Sequence, residues 1–210
     1  RENLILSSGG YKGEVFEAAL NQRDDELKAA IDYYDVVEVQ PPTGYKHLFE
    51  DLGENGKEVI EGIIHKIITF AKEKNKIVIA SGDVHYMDKS DSIYRNIYIR
   101  TPQVGGGIHD LYRYSEMPEL YFRTTDEMLK AFSFLGDELA HEIVITNTNK
   151  LNDMIEPIKA FPSELFSIQD DAFKETLGVE SVALEVERLV KEKMTQLYGE
   201  NPHPIILERV

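Results

Sequence analysis

Asp83-Val84-His85-Tyr86 follows directly on the apolar run Ile77-Val78-Ile79-Ala80 and the turn Ser81-Gly82. A carboxylate and a neutral imidazole two residues apart suit a divalent metal, because both offer lone pairs that a tight turn or extended backbone aims at one ion. A short β-branched run reads as a buried strand, and in α/β folds ligands and catalytic groups gather just beyond the carboxyl end of such strands. The spacing alone equally admits a strand-end capping aspartate beside a surface histidine. The sequence holds no cysteine, which excludes disulfides and thiolate ligands, so a metal here would be held by His, Asp and Glu. Of the other five histidines, His65 and His141 fall in helical patterns and His47, His109 and His203 in polar surroundings; none is read as a ligand.

The elements that must position Asp83 and His85 are legible around them. Residues 4–6 suggest a first strand ending in Ser7-Ser8-Gly9-Gly10, and Glu14 to Leu20 a short helix. Asp24-Asp25-Glu26 gives an acidic first turn that complements the helix dipole, opening a helix to about Tyr34. Val36 to Val39 is a second strand, stopped by Pro41-Pro42, which have no N–H to give a ladder. Lys57 to Lys74 carries Val59, Ile60, Ile63, Ile64, Ile67, Ile68 and Ala71 at the spacing of an amphipathic helix. Ile77 to Ala80 is the third strand, so strand and helix alternate as in parallel sheets with crossover helices.

Further on, the pattern predicts helices from about Asp91 to Ile97, from near Asp126 behind the hydroxyl cap of Thr124-Thr125, from Gly136 to about Asn149, and from Leu184 to Tyr198. Ile155 to Ile168 reads as an extended connector. Gly105-Gly106-Gly107 reads as a flexible loop and not a phosphate cradle, since neither GxGxxG nor GxxxxGK[ST] follows a strand. No Ser-His-Asp set or HExxH can be assembled from spacing.

Composition bounds the function. A chain of 210 residues buries roughly 70% of its unfolded surface, enough for one domain with a core and an appendage. The formal charge of −15, from 38 acidic against 23 basic residues, argues against a broad grip on nucleic-acid phosphates, which Lys and Arg provide. The apolar stretches are far shorter than the roughly twenty residues that cross a bilayer, and no signal peptide opens the chain. A soluble, cytoplasmic protein is expected. The start Arg1-Glu2-Asn3, without Met and at the edge of an apolar run, reads as a piece of something longer.

Five segments then carry a resemblance: Gly13-Glu14-Val15-Phe16-Glu17-Ala18; Glu38-Val39-Gln40-Pro41-Pro42 with Tyr45-Lys46-His47-Leu48; Gly82-Asp83-Val84-His85-Tyr86; Tyr121 to Leu129; and Phe132-Ser133-Phe134-Leu135-Gly136. In that order they resemble the PolC-type alpha subunit of bacterial DNA polymerase III, and the likeness runs down to Tyr198-Gly199-Glu200. The resemblance implies an α/β fold. Residues 1–150 would be the C-terminal portion of a distorted (β/α)7 PHP (polymerase and histidinol phosphatase) barrel, and 151–210 a mainly helical lead-in to the polymerase palm.

It further implies that Asp83 and His85 are the last ligands of a PHP metal site holding zinc or manganese, with hydrolysis of phosphoesters or pyrophosphate as its chemistry. The family's usual cysteine ligand is replaced by Gly10. The other ligand motifs, the proofreading exonuclease, and the palm aspartates that bind magnesium would lie outside these residues. DNA, deoxynucleotides and other replisome subunits are the partners implied, met through the parent enzyme. Two alternatives stand beside this: a PHP module that is inactive and serves as a scaffold, and a free-standing PHP phosphoesterase.

Overall fold

The computed structural model describes residues 3–103, 105–159, 161 and 170–209. Contacts divide the chain into two units, Arg1–Glu156 and Pro157–Val210.

The first unit is a mixed α/β layer. Two parallel strands, β1 (Val36–Val39) and β2 (Ile77–Ala80), pair in register from Val36 with Ile77 to Val39 with Ala80. Between them runs the crossover helix α3 (Gly56–Glu73), and α1 (Glu14–Leu20) and α2 (Asp24–Tyr33) precede β1. The helical spacing read from the sequence is the face that becomes buried: Ile60, Ile64, Ile67, Ile68 and Ala71 of α3 are fully enclosed and pack with Leu27, Ile31, Val37, Val39 and Val78. Each buried Ile, Leu or Val side chain contributes about 1.5–3 kcal/mol relative to exposure. Val59, expected on this face, is instead 40% exposed, because it lies one residue from the centre of the stripe.

Residues 4–6 do not form the expected strand. Leu4 and Ile5 are exposed, and parallel pairing is confined to one bridge, Ser7 to Val36, with the Leu6 carbonyl accepting from the Asp35 and Val36 amides and the Ser8 amide donating to the Val36 carbonyl. An apolar run becomes a strand only where a neighbour pairs with it, and among the described residues the pairing begins only at Ser7.

Beyond β2, a 3₁₀ turn at Lys89–Asp91 leads into α4 (Ser92–Arg100). Helix α5 (Thr125–Ala131) starts at the expected hydroxyl cap. Thr124 Oγ1 accepts from the Glu127 amide, and Glu127 Oε2 accepts from the Thr124 amide at 2.8 Å, a reciprocal capping box. The helix expected from Gly136 is helical to Asp153, but in three pieces: α6 (Asp137–His141), a π turn over Glu142–Thr146, and α7 (Asn147–Asp153). Asn147 Nδ2 donates to the Val78 carbonyl at 2.8 Å, pinning the start of α7 to β2.

In the second unit, α8 (Asp170–Leu177), α9 (Val182–Tyr198) and α10 (Pro204–Leu207) follow one another. The connector expected over Ile155–Ile168 falls largely outside the described residues. No helix among the described residues is long and apolar enough to cross a membrane.

Candidate functional site

A cleft of about 610 Å³ opens at the carboxyl ends of β1 and β2. Its floor comes from the strands. Valines at 36, 37 and 39 face the core, whereas Glu38 breaks the run and lines the cleft with Gln40 and Ser81. A charged residue inside an otherwise apolar strand is the sequence signal for this floor. The carboxylate is held at both oxygens. Ser7 Oγ donates to Oε1, and Ser81 Oγ donates to Oε2 at 2.8 Å. Ser81 Oγ in turn accepts from Gln40 Nε2 at 2.9 Å, and Gln40 Oε1 accepts from the buried Tyr45 hydroxyl. Burial holds the Tyr45 phenol well above its ordinary pKa, so it stays a neutral donor. Its ring stacks on Phe16 at 4.4 Å, fixing this polar chain to the core.

Asp83 and His85 stand at the rim. The backbone at Asp83 takes φ +44°, a left-handed turn that a short polar side chain tolerates better than most. That turn brings Asp83 Oδ1 to 3.5 Å from His85 Nε2. His85 is positioned from the other side: its amide donates to the Leu120 carbonyl at 2.9 Å, and Tyr86 forms a parallel bridge with Tyr121. Both side chains are partly open to solvent.

Gly10 lines the same cleft. A Cβ built on it would meet the Gln40 amide, with Oε1 at 3.0 Å and Nε2 at 3.2 Å, so the Gln40 side chain fills the space where any side chain at position 10 would begin. The three positions singled out from the sequence thus share one cleft. Arg95 and His109, which the sequence did not mark, line it too. His109 Nδ1 accepts from the Leu111 amide at 3.1 Å, and burial, then the Arg95 charge, lowers its pKa. Lys12 and Asp110 form an exposed ion pair beside it.

A catalytic zinc takes three protein ligands and keeps one position open. Among the described residues no group of three or more His, Asp or Glu side chains is placed to hold one ion. Asp83 and His85 are two donors without a third, so the residues present do not by themselves fit a metal, and no reaction step is derived through one.

His47 departs from its expected polar setting. The 3₁₀ turn Pro42–Leu48 carries it inward, 1% exposed, in T-shaped contact with Tyr11 and Tyr114 at ring-centroid distances of 4.9 and 5.0 Å. Neither ring nitrogen finds a hydrogen-bond partner among the described residues. Burial drops its pKa to about 4.

Fold and cleft together define an α/β unit with a polar pocket at the carboxyl ends of parallel strands, the place where such folds put ligands. No family model matches the sequence. The chain is 38% identical over its full 210 residues to the DNA polymerase III PolC-type protein of Bacillus subtilis, 36% over 208 residues to that of Halalkalibacterium halodurans, and 37% over 210 residues to that of Listeria welshimeri. These alignments cover 99–100% of this chain, which spans 14% of the length of each relative. The chain belongs to the DNA polymerase III PolC-type family and corresponds to a part of its members.

Proposed function

We propose that this chain is the segment of a replicative, cytoplasmic DNA polymerase that closes a PHP barrel and leads towards the palm. On this reading the parent enzyme adds deoxynucleotides to a DNA primer, using magnesium held elsewhere. DNA and other replisome subunits are its partners, and an acidic segment of net charge −15 leaves the grip on DNA to other parts. Within the barrel, Asp83 and His85 contribute two ligands to a zinc or manganese site completed by residues outside this chain, for hydrolysis of phosphoesters or pyrophosphate. The observation that carries the reading is the placement of Asp83 and His85, side by side at the rim of a polar cleft beyond β2.

A second reading, an inactive barrel kept as a scaffold, is favoured by one specific feature. The Gln40 amide fills the space at Gly10, so position 10 offers a metal no ligand, and both oxygens of Glu38 are already engaged by serine hydroxyls. One experiment separates the two. Metal content and manganese-dependent phosphoester hydrolysis are measured in the full-length polymerase and in its Asp83→Asn, His85→Ala double variant. Loss of both in the variant is expected; equal values in the two proteins would leave the scaffold.

A further inference from the structure

Arg95 forms no ion pair among the described residues. It projects from α4 into the cleft wall, partly buried, and its Nε is shielded from solvent with no hydrogen-bond acceptor in reach among the described residues. The contact it does make is with an aromatic face, the Tyr98 ring, whose centroid lies 5.4 Å from the guanidinium carbon. Buried donors are nearly always paired, so an unpaired one on a charged group that also lines a cleft calls for an explanation, and an anion held by the same guanidinium supplies one.

We propose that Arg95 anchors a phosphate group of the molecule bound in this cleft. A guanidinium fork matches two oxygens of a phosphate, which a lone ammonium does not do. The surroundings of Arg95 supply what else such a group needs. His109 accepts at Nδ1 from the Leu111 amide, which leaves the proton of the neutral ring on Nε2 as a second donor. Lys12 lines the cleft too, beside the Tyr11 ring, and its ion pair with Asp110 is solvent-exposed, the kind that opens at little cost. The acids around the cleft have partners of their own: Glu38 accepts from Ser7 and Ser81 on the floor, Asp83 faces His85 at the rim, and Asp110 pairs with Lys12. Arg95, His109 and Lys12 all line the cleft, and their N–H donors set the anionic end of a phosphate-bearing ligand at Arg95.

This names the anion-holding residue of the cleft already read as a phosphoester site and rests on that reading, yet it needs no metal. The test therefore isolates it. Full-length polymerase in chelator is treated with methylglyoxal, a small arginine-directed dicarbonyl, with and without inorganic phosphate at matched ionic strength, and modified arginines are located by mass spectrometry. Phosphate slows modification of Arg95 several-fold, and leaves that of Arg100, whose guanidinium donates to the carbonyls of Tyr112 and Tyr114, unchanged. Equal modification of Arg95 in both conditions overturns the proposal, as does an Arg95 that the reagent never reaches. Protection of Arg95 in an enzyme without manganese-dependent hydrolysis would keep the anchor and remove the metal reading; hydrolysis without protection would do the reverse.

Discussion

Asp83 Oδ1 lies 3.5 Å from His85 Nε2 because the chain turns through a left-handed backbone at Asp83, φ +44°. A residue two positions along a regular strand would point to the same face but further away; the turn is what closes the pair. A β-branched side chain at such a φ is strained, whereas glycine is not. Asp83→Val is expected to cost about 1–2 kcal/mol, and Asp83→Gly to be neutral or slightly stabilising. Urea unfolding of both variants checks this, and equal stability of the two would mean the turn is not held.

His47 gives the chain an acid-sensitive core. Its folded pKa of about 4 lies below the ordinary value of 6.5, so between these limits the unfolded chain binds the proton that the folded one refuses. Stability is therefore fully present above pH 6.5 and lost as pH falls towards 4, by about 3 kcal/mol from this residue. His47→Phe keeps the aromatic contacts with Tyr11 and Tyr114 and removes two unpartnered nitrogens. Unfolding midpoints compared at several pH values from 7 down to 4 are expected to fall less in the variant; parallel curves would rule out His47 as the source.

Two glycines make opposite predictions. A Cβ at Gly13, which precedes α1, would sit 2.2 Å from the Ser8 carbonyl oxygen, and this is backbone that also carries the Ser8 bond to Val36. Gly13→Ala is expected to destabilise by about 1–3 kcal/mol, as overpacking does. Gly62, exposed in the middle of α3, has open space at its Cβ, and Gly62→Ala is expected to stabilise by roughly 0.5–1 kcal/mol. Thermal melts of the two variants would contradict the packing described if their shifts had the same sign.

Gly10→Cys tests the missing ligand. The new Cβ meets only the end of the Gln40 side chain, at 3.0–3.2 Å, so the fold is expected to survive if the Gln40 amide gives by a few tenths of an ångström while keeping its bonds to Ser81 and Tyr45. If Asp83 and His85 belong to a metal site, the added thiolate should raise the zinc retained by the full-length polymerase after dialysis, up to stoichiometric binding. Zinc content unchanged from the parent protein would argue that position 10 does not face that site.

The sequence by itself determined the main elements near the cleft: the apolar stripe of α3, the two valine- and isoleucine-rich strands, the proline stop after β1, and the Thr124–Glu127 cap all act through neighbours a few residues away. It also marked Asp83 and His85 by type and spacing, and the five motif segments carried the family. Only the tertiary structure decided what those residues meet. Residues 4–6 look like a strand, yet Leu4 and Ile5 stay exposed, since a strand needs partners that local sequence does not supply. His47 reads as polar and is buried, because a 3₁₀ turn swings it beneath two tyrosines from distant segments. The same long-range convergence sets Gln40 against Gly10 and brings Arg95 and His109 to the cleft wall, contacts between residues up to about a hundred positions apart that no local periodicity encodes.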